Sequence, residues 1–408
     1  MAILRKILLA LLSGFIILLV NWKYQNFDYT LGLEDAFFKK IFLIKDKVYS
    51  PQPKNKPHLV YINTGKDLAL VEDSIEYGNI AVSDRTKICE FLKFINNVNG
   101  KPLYTVLDIQ FYYPYTIDLK VDSVMQTELD RNSNIIIPIL KNGNGDYVKP
   151  LYNTNYGYSD YRTFGTAVNK FRIMNRQQVK SIPIILHEKI NGAKYEDNML
   201  FPTCNDSLCL SAIWPSYFIK DGDLPKSTAA DDVEAIATRK VRTNRNGIPT
   251  EYYNLGELLF DMEASPEHYV SAFMNKILFV GNFDEDVHVT PIGKVTGPVI
   301  LSDIYLSLLN GQHMVNIWMI VIVLLVFSAL SYVAWFHKMP EIRWNFKFLF
   351  SSYLTKFMKG YISYFGAMFG LSLLVLILFN VQVALFLPSL IFTGIEYVKE
   401  KKYKDFTK

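Results

Sequence analysis

The stretch Lys276-Ile277-Leu278-Phe279-Val280-Gly281-Asn282-Phe283, continued by Asp286-Val287-His288-Val289-Thr290-Pro291 and then Gly297-Pro298, decides how this chain is read. Ile277–Gly281 is an uninterrupted apolar run closed by glycine, the pattern of a buried strand. Pro298 stands where the first turn of a helix tolerates proline. Ile300, Ile304 and Leu308 recur at helical spacing, and Gly311 supplies a stop. Five residues later, Ile317–Phe336 runs for twenty residues without a charge. At about 1.5 Å per residue this reaches about 30 Å, the thickness of a hydrocarbon core. A folded domain therefore leads almost directly into a membrane helix.

Upstream, strand and helix patterns alternate. His58–Ile62 is a β-rich run entered from an exposed Pro- and Lys-containing linker ending at Pro57. Ser83 is a candidate cap for a helix carrying Ile88, Phe91, Leu92 and Ile95 on one face. Leu103–Ile109 reads as a second strand, Val121–Arg131 as a helix, and Asn134–Leu140 as a third strand. This order predicts an α/β domain with a mainly parallel sheet flanked by helices. Residues 142–165 are rich in Asn, Tyr, Gly and Asp and read as loops. Val179–Lys189 reads as a helix, Ala235–Arg242 as a strand and Asn244–Gly247 as a turn.

Four membrane spans are expected. Arg5 and Lys6 precede the apolar run Ile7–Val20. No small-residue cleavage site follows, so an uncleaved anchor with Trp22 and Tyr24 at the interface is favoured over a removed signal. Tyr361 to Tyr397 is uncharged except for Glu396 and too long for one span, so two spans turning near Asn380 are expected. The resulting domains are an anchor at 1–22, an extracytoplasmic domain at 23–314, spans at 315–336, 361–379 and 381–397, a basic loop at 337–360 and a basic tail at 398–408. The amino end, loop and tail are all basic, which places both termini in the cytoplasm of a bacterial inner-membrane protein. The net charge of +4 on 408 residues gives no sign of a nucleic-acid surface.

Of three cysteines, Cys204 and Cys209 are close enough in the chain for a small disulfide in an oxidising compartment; the alternative is two thiols. Cys89 falls on a helical apolar face and reads as core. No nucleotide-binding, protease or hydrolase motif is present, and no cofactor is expected. Ligands of open parallel sheets bind beyond the carboxyl ends of the strands. Asp108 ends one strand, and Asp286 and His288 follow another. These three, with Arg85 as an anion contact, form the candidate ligand site; Arg172 is a further cation that could meet an anion. Thr290, Pro291 and Gly281 are expected to fix the loop. The competing reading is local capping and pairing of the same side chains.

The residues Leu59-Val60-Tyr61-Ile62-Asn63, Arg85, Val106-Leu107-Asp108-Ile109-Gln110-Phe111, Asp122, Ile277–Gly281, Asp286-Val287-His288-Val289-Thr290-Pro291 and Leu308-Leu309-Asn310-Gly311 resemble the type 2 CHASE domain, an extracellular sensory module of bacterial cyclases and histidine kinases. The resemblance covers roughly residues 25–400. It implies an amino-terminal span, a sensory domain and three closely spaced spans. The chain departs from the family at Asn63, where an acidic residue is usual. It also departs at Val82-Ser83-Asp84, in place of a Trp-Pro pair, and at Val299, Leu301 and Asp303, in place of Glu, His and Asn. No cytoplasmic enzyme domain of the family is recognisable. The expected function is sensing of an envelope or environmental stimulus through an unidentified ligand, with output through a separate membrane or cytoplasmic partner. A homodimer is left open. An envelope scaffold and a periplasmic metal-dependent hydrolase are the alternatives.

Overall fold

The computed structural model describes residues 2–26, 53, 55–73, 78–98, 101–141, 146–159, 161–164, 167–172, 179–196, 201–213, 216, 218–219, 224, 242–243, 246–290, 292–340, 352–379, 381 and 383–406. Contacts divide the chain into two compact units. An α/β unit holds Tyr49–Met199 and Ser211–Gly311. A helical unit holds Met1–Val48, Leu200–Leu210 and Gln312–Lys408.

The first strands of the α/β unit are β1 (Leu59–Asn63), β2 (Leu68–Asp73), β3 (Gly78–Ser83), β4 (Tyr104–Asp108), β5 (Ile135–Lys141) and β6 (Asn155–Tyr158). They are followed by β7 (Ala167–Arg172), β8 (Pro249–Asn254), β9 (Ile277–Gly281), β10 (Val287–Thr290) and β11 (Gly293–Thr296). The body of the main sheet runs β8-β1-β9-β4-β5-β6, with these five pairings parallel, and two-residue strands at Arg242–Thr243 and Tyr147–Val148 add antiparallel to β8 and β5. The expected parallel sheet is therefore present, extended by β6 and β8, which lack an uninterrupted aliphatic run. Every residue of β1 and β9 is buried, as strands covered on both faces require. The hairpin β2–β3 separates β1 from the following helix.

The anchor helix, α1 (Ala2–Asn26), belongs to the helical unit. The helices of the α/β unit are α2 (Arg85–Asn97), α3 (Leu119–Asp130), α4 (Ile182–Asn191), α5 (Leu255–Ala264), α6 (Pro266–Phe273) and α7 (Gly297–Leu309). Strand alternation sends Val60 and Ile62 into one core with Ile88, Phe91 and Leu92 of α2 and with residues of α3, α5 and α6. Fully burying each such side chain stabilises by about 1.5–3 kcal/mol. Tyr61 faces the other way, and its hydroxyl bonds Ser302 of α7 at 2.8 Å. Helix α7 is buried from Gly297 through Leu308, which explains its nearly unbroken apolar sequence. Proline lies in its first turn, and Gly311, at φ 69°, follows its end, as the sequence predicts.

Three local expectations change. Asn155–Tyr158, inside the stretch 142–165 read as loops, is strand β6, held by parallel pairing to β5. Asp84, not Ser83, caps α2: its carboxylate accepts the Thr86 N–H at 2.9 Å. Ser83 instead ends β3 and bonds the Thr64 hydroxyl at 3.1 Å. The Asp286–Thr290 segment, read as a loop, enters an antiparallel hairpin, β10–β11. Pro291, residues 235–241 of the expected strand 235–242, the stretch 27–52 and residues 341–351 of the basic loop lie outside the described residues.

In the helical unit, α1 packs along α8 (Ile317–Phe336). The Lys6 ammonium lies 5.2 Å from the Phe336 ring, and Gly14 meets the backbone of Ser328. These contacts pair early residues of α1 with late residues of α8, so the two helices are antiparallel. Two further helices follow, α9 (Ser352–Phe379) and α10 (Phe386–Phe406). Tyr364 donates to Glu396 Oε2 at 2.7 Å, joining α9 to α10. Among the described residues, three helical segments are long and apolar enough to cross a membrane: Ile3–Tyr24, Ile317–Phe336 and Phe357–Phe379. The fourth expected span does not reach that standard, because α10 begins only at Phe386 and its lysines begin at Lys399, which leaves too short an apolar stretch between them.

All three cysteines are buried thiols, so the bridge expected between Cys204 and Cys209 is not formed. The hairpin register explains this. Cys204 lies opposite Ser207, and the Cys209 N–H reaches the Pro202 carbonyl, which makes the cysteines diagonal neighbours. Diagonal pairs stand about 7–8 Å apart, and a disulfide needs Cβ atoms about 3.8 Å apart. Cys89 is core, with its thiol 3.7 Å from the Val121 carbonyl, and burial pushes its pKa up to about 12.

Candidate functional site

The register of the sheet sets Asn254, Asn63, Gly281 and Asp108 in one row at the carboxyl edge. Asn63 is the centre of a closed network. Its Oδ1 accepts the N–H groups of Gly65 at 2.8 Å and Phe283 at 3.0 Å. Its Nδ2 donates to Asp284 Oδ2 at 3.1 Å and Asn254 Oδ1 at 3.3 Å. Two oxygen acceptors therefore face the position where the resembled family has a carboxylate. An acid there would meet Asp284 as a like charge, so the amide fits this network.

Asp108, Asp286 and His288 come together at the start of α7. His288 Nε2 lies 2.9 Å from Asp286 Oδ1. The Asp286 carbonyl accepts the Gly297 N–H at 2.8 Å. A Cβ at Gly297 would collide with Asp286 Oδ2 and lie 3.3 Å from Asp108 Oδ2. Both carboxyls thus border one glycine, the first residue of α7. Of the local reading, the pairing is present, since the Asp286 carboxylate holds the imidazole, whereas the Gly297 N–H is capped by the Asp286 carbonyl and not by its carboxylate. Thr290 is buried, and its hydroxyl donates to the Gly293 carbonyl at 2.8 Å, closing the hairpin.

Gly281 has a packing reason. A Cβ there would lie 2.7 Å from the Pro298 ring and 3.2 Å from the Asp108 carbonyl, neither of which can swing aside. Gly281→Ala should therefore push α7 from the sheet and cost about 1–3 kcal/mol. Chemical denaturation of the purified chain checks this; a cost below about 0.5 kcal/mol, the range of surface substitutions, would show that the contact yields.

The electrostatics follow from this crowding. Burial first, and then the Asp286 carboxylate, raise the Asp108 pKa to about 7, while His288 opposes the shift. The hydrogen bond that His288 donates to the Asp286 carboxylate raises the His288 pKa above its ordinary value, against desolvation. Asp108 therefore holds its proton far more tightly than an ordinary carboxyl, and His288 holds its proton more tightly than a free imidazole. Among the described residues, no group of three or more His, Cys, Asp or Glu side chains is arranged to hold a metal ion.

Arg85 is not in this cluster. It is buried, 2.7 Å from Asp122 Oδ1, and donates to the Tyr113 carbonyl at 2.5 Å and to Tyr152 at 3.3 Å. Its guanidinium lies 5.6 Å from the ring centres of Phe111 and Tyr115 and 5.8 Å from that of Tyr152. Burial works against the Asp122 carboxylate, but the bonds from Tyr152, Tyr115 and Arg85 prevail and lower its pKa. Arg85 is thus a clamp between α2 and α3. Arg172 lies in β7, opposite Ala212, in a separate sheet. Sequence reasoning does not single out Asn254, Asn282, Asp284 or Gly297. The signal available is that two strand patterns end in asparagine.

No family model matches the chain, and neither the curated proteins nor the solved structures contain a match.

Proposed function

We infer that the chain is a membrane-anchored signal-input protein of the CHASE type 2 kind. Its α/β unit faces the periplasm or exterior, and its output passes to a separate membrane or cytoplasmic partner. One observation carries this reading: the Asp108–Asp286–His288 cluster borders the first residue of α7. That helix is also the last element before Ile317–Phe336 in the chain. A proton or a cationic ligand taken up at the cluster changes the charge beside Gly297 and biases the position of α7. Such a bias is what a two-state input element needs.

Four spans, with the segment from Val381 completing the last, bring the basic amino end, loop and tail to the cytoplasmic side. Reporter fusions at Asn155 and Asn246 should then be extracytoplasmic, and fusions at Lys347 and Lys408 cytoplasmic. A cytoplasmic signal at Asn155 would refute the topology. For the function, crosslinking in membranes followed by purification of the full chain should recover a histidine kinase or nucleotide cyclase. Recovery of envelope-assembly proteins alone would point to a scaffold instead.

A further inference from the structure

A cleft of about 480 Å³ opens at the amino edge of the parallel sheet, opposite the Asp108 cluster. Leu103, just before β4, and Ile277, the first residue of β9, line it. So does Leu309, the last residue of α7. Tyr305, only 1% exposed, forms part of the wall, and its hydroxyl donates to Asn191 Oδ1 at 3.1 Å. With that oxygen engaged, the Asn191 amide nitrogen is its remaining donor. Lys56 stands at the exposed rim, its ammonium over the turn at Gly247, where a Cβ would strike it. Among the described residues, Lys56 is the one charged group lining the cleft.

The volume lies within the roughly 300–1,000 Å³ of small-molecule sites, and apolar walls with a few convergent polar groups are their usual chemistry. We propose that this cleft binds a small amphiphilic anion, with a carboxylate, sulfate or phosphate head on a short hydrocarbon body. Lys56 and the Asn191 amide take the head, and Leu103, Ile277 and Leu309 take the body. A bound molecule touches the carboxyl end of α7, the helix whose amino end meets the acidic cluster. The site is separate from that cluster and does not depend on the function inferred from it.

The test uses the full chain in phosphatidylcholine nanodiscs, titrated with octanoate, octanol and inorganic phosphate. Binding is read by saturation-transfer NMR against empty discs. Octanoate should bind more tightly than either comparison probe. Lys56→Met keeps the stem and removes the charge, and should weaken octanoate by about tenfold. Leu103→Trp fills the cleft and should abolish binding. Both residues are at least partly exposed, so both variants should fold, which their melting temperatures verify. No octanoate binding, equal binding of octanol, or full binding by Leu103→Trp would each overturn the proposal. Phosphate binding as tightly as octanoate would overturn the amphiphile and leave a bare anion site. Competition from phosphatidylglycerol in the discs would identify the source as a membrane lipid, and its absence a soluble amphiphile.

Discussion

Arg85→Ala should destabilise the α/β unit by about 3–5 kcal/mol, the usual cost of removing one partner from a buried ion pair. Arg85 is almost fully buried and Asp122 is largely so. The substitution leaves the Asp122 carboxylate with Tyr152 and the Tyr115 N–H but without its cation. It also empties the space between the rings of Phe111, Tyr115 and Tyr152. Arg85→Lys should fall between alanine and wild type. An ammonium keeps the charge but cannot reproduce a planar group that reaches Asp122 and the Tyr113 carbonyl together. Equilibrium unfolding of the purified chain measures all three proteins. An alanine variant as stable as wild type would remove the clamp role and make Arg85 a candidate ligand contact again.

The second large effect is on pH dependence. The Asp108 pKa is raised to about 7 from an unfolded value near 3.8. The folded state therefore binds this proton more tightly. Its contribution is fully present below about pH 4 and is lost as pH rises through about 7. The raised pKa of His288 acts in the same direction at higher pH: its contribution is lost as pH rises through a value above 6.5. Asp122 works oppositely and in a lower range, because its lowered pKa gives stability that disappears on acidification.

Asp108→Asn keeps the shape of the protonated acid and cannot ionise. It should flatten the stability profile between pH 4 and 7. At pH 8 it should stabilise the unit by roughly 2–4 kcal/mol, since each tenfold difference in proton affinity between the folded and unfolded states is worth about 1.4 kcal/mol. Hydrogen exchange of α7 amides, corrected for intrinsic rates, should show slower opening in the variant at pH 8. A profile for Asp108→Asn that still falls across this range would show that another group sets it.

The features legible in the chain alone are local and periodic. The uncharged length of Ile317–Phe336, the apolar runs of β1 and β9, Pro298 at the start of α7 and Gly311 after its end each depend on near neighbours in the chain. The meeting of Asp108 with Asp286 and His288 was legible because the ends of parallel strands share one edge. Tertiary structure decided everything that needs a partner far along the chain. It inserted β9 between β1 and β4, and so set Gly281 against Asp108. It gave Arg85 to Asp122 and set Cys204 across from Ser207. It also formed the Lys56 cleft from strand starts and a helix end. Composition and spacing carry the propensity of each element, but strand order and register come from how the faces pack together, and no single segment encodes them.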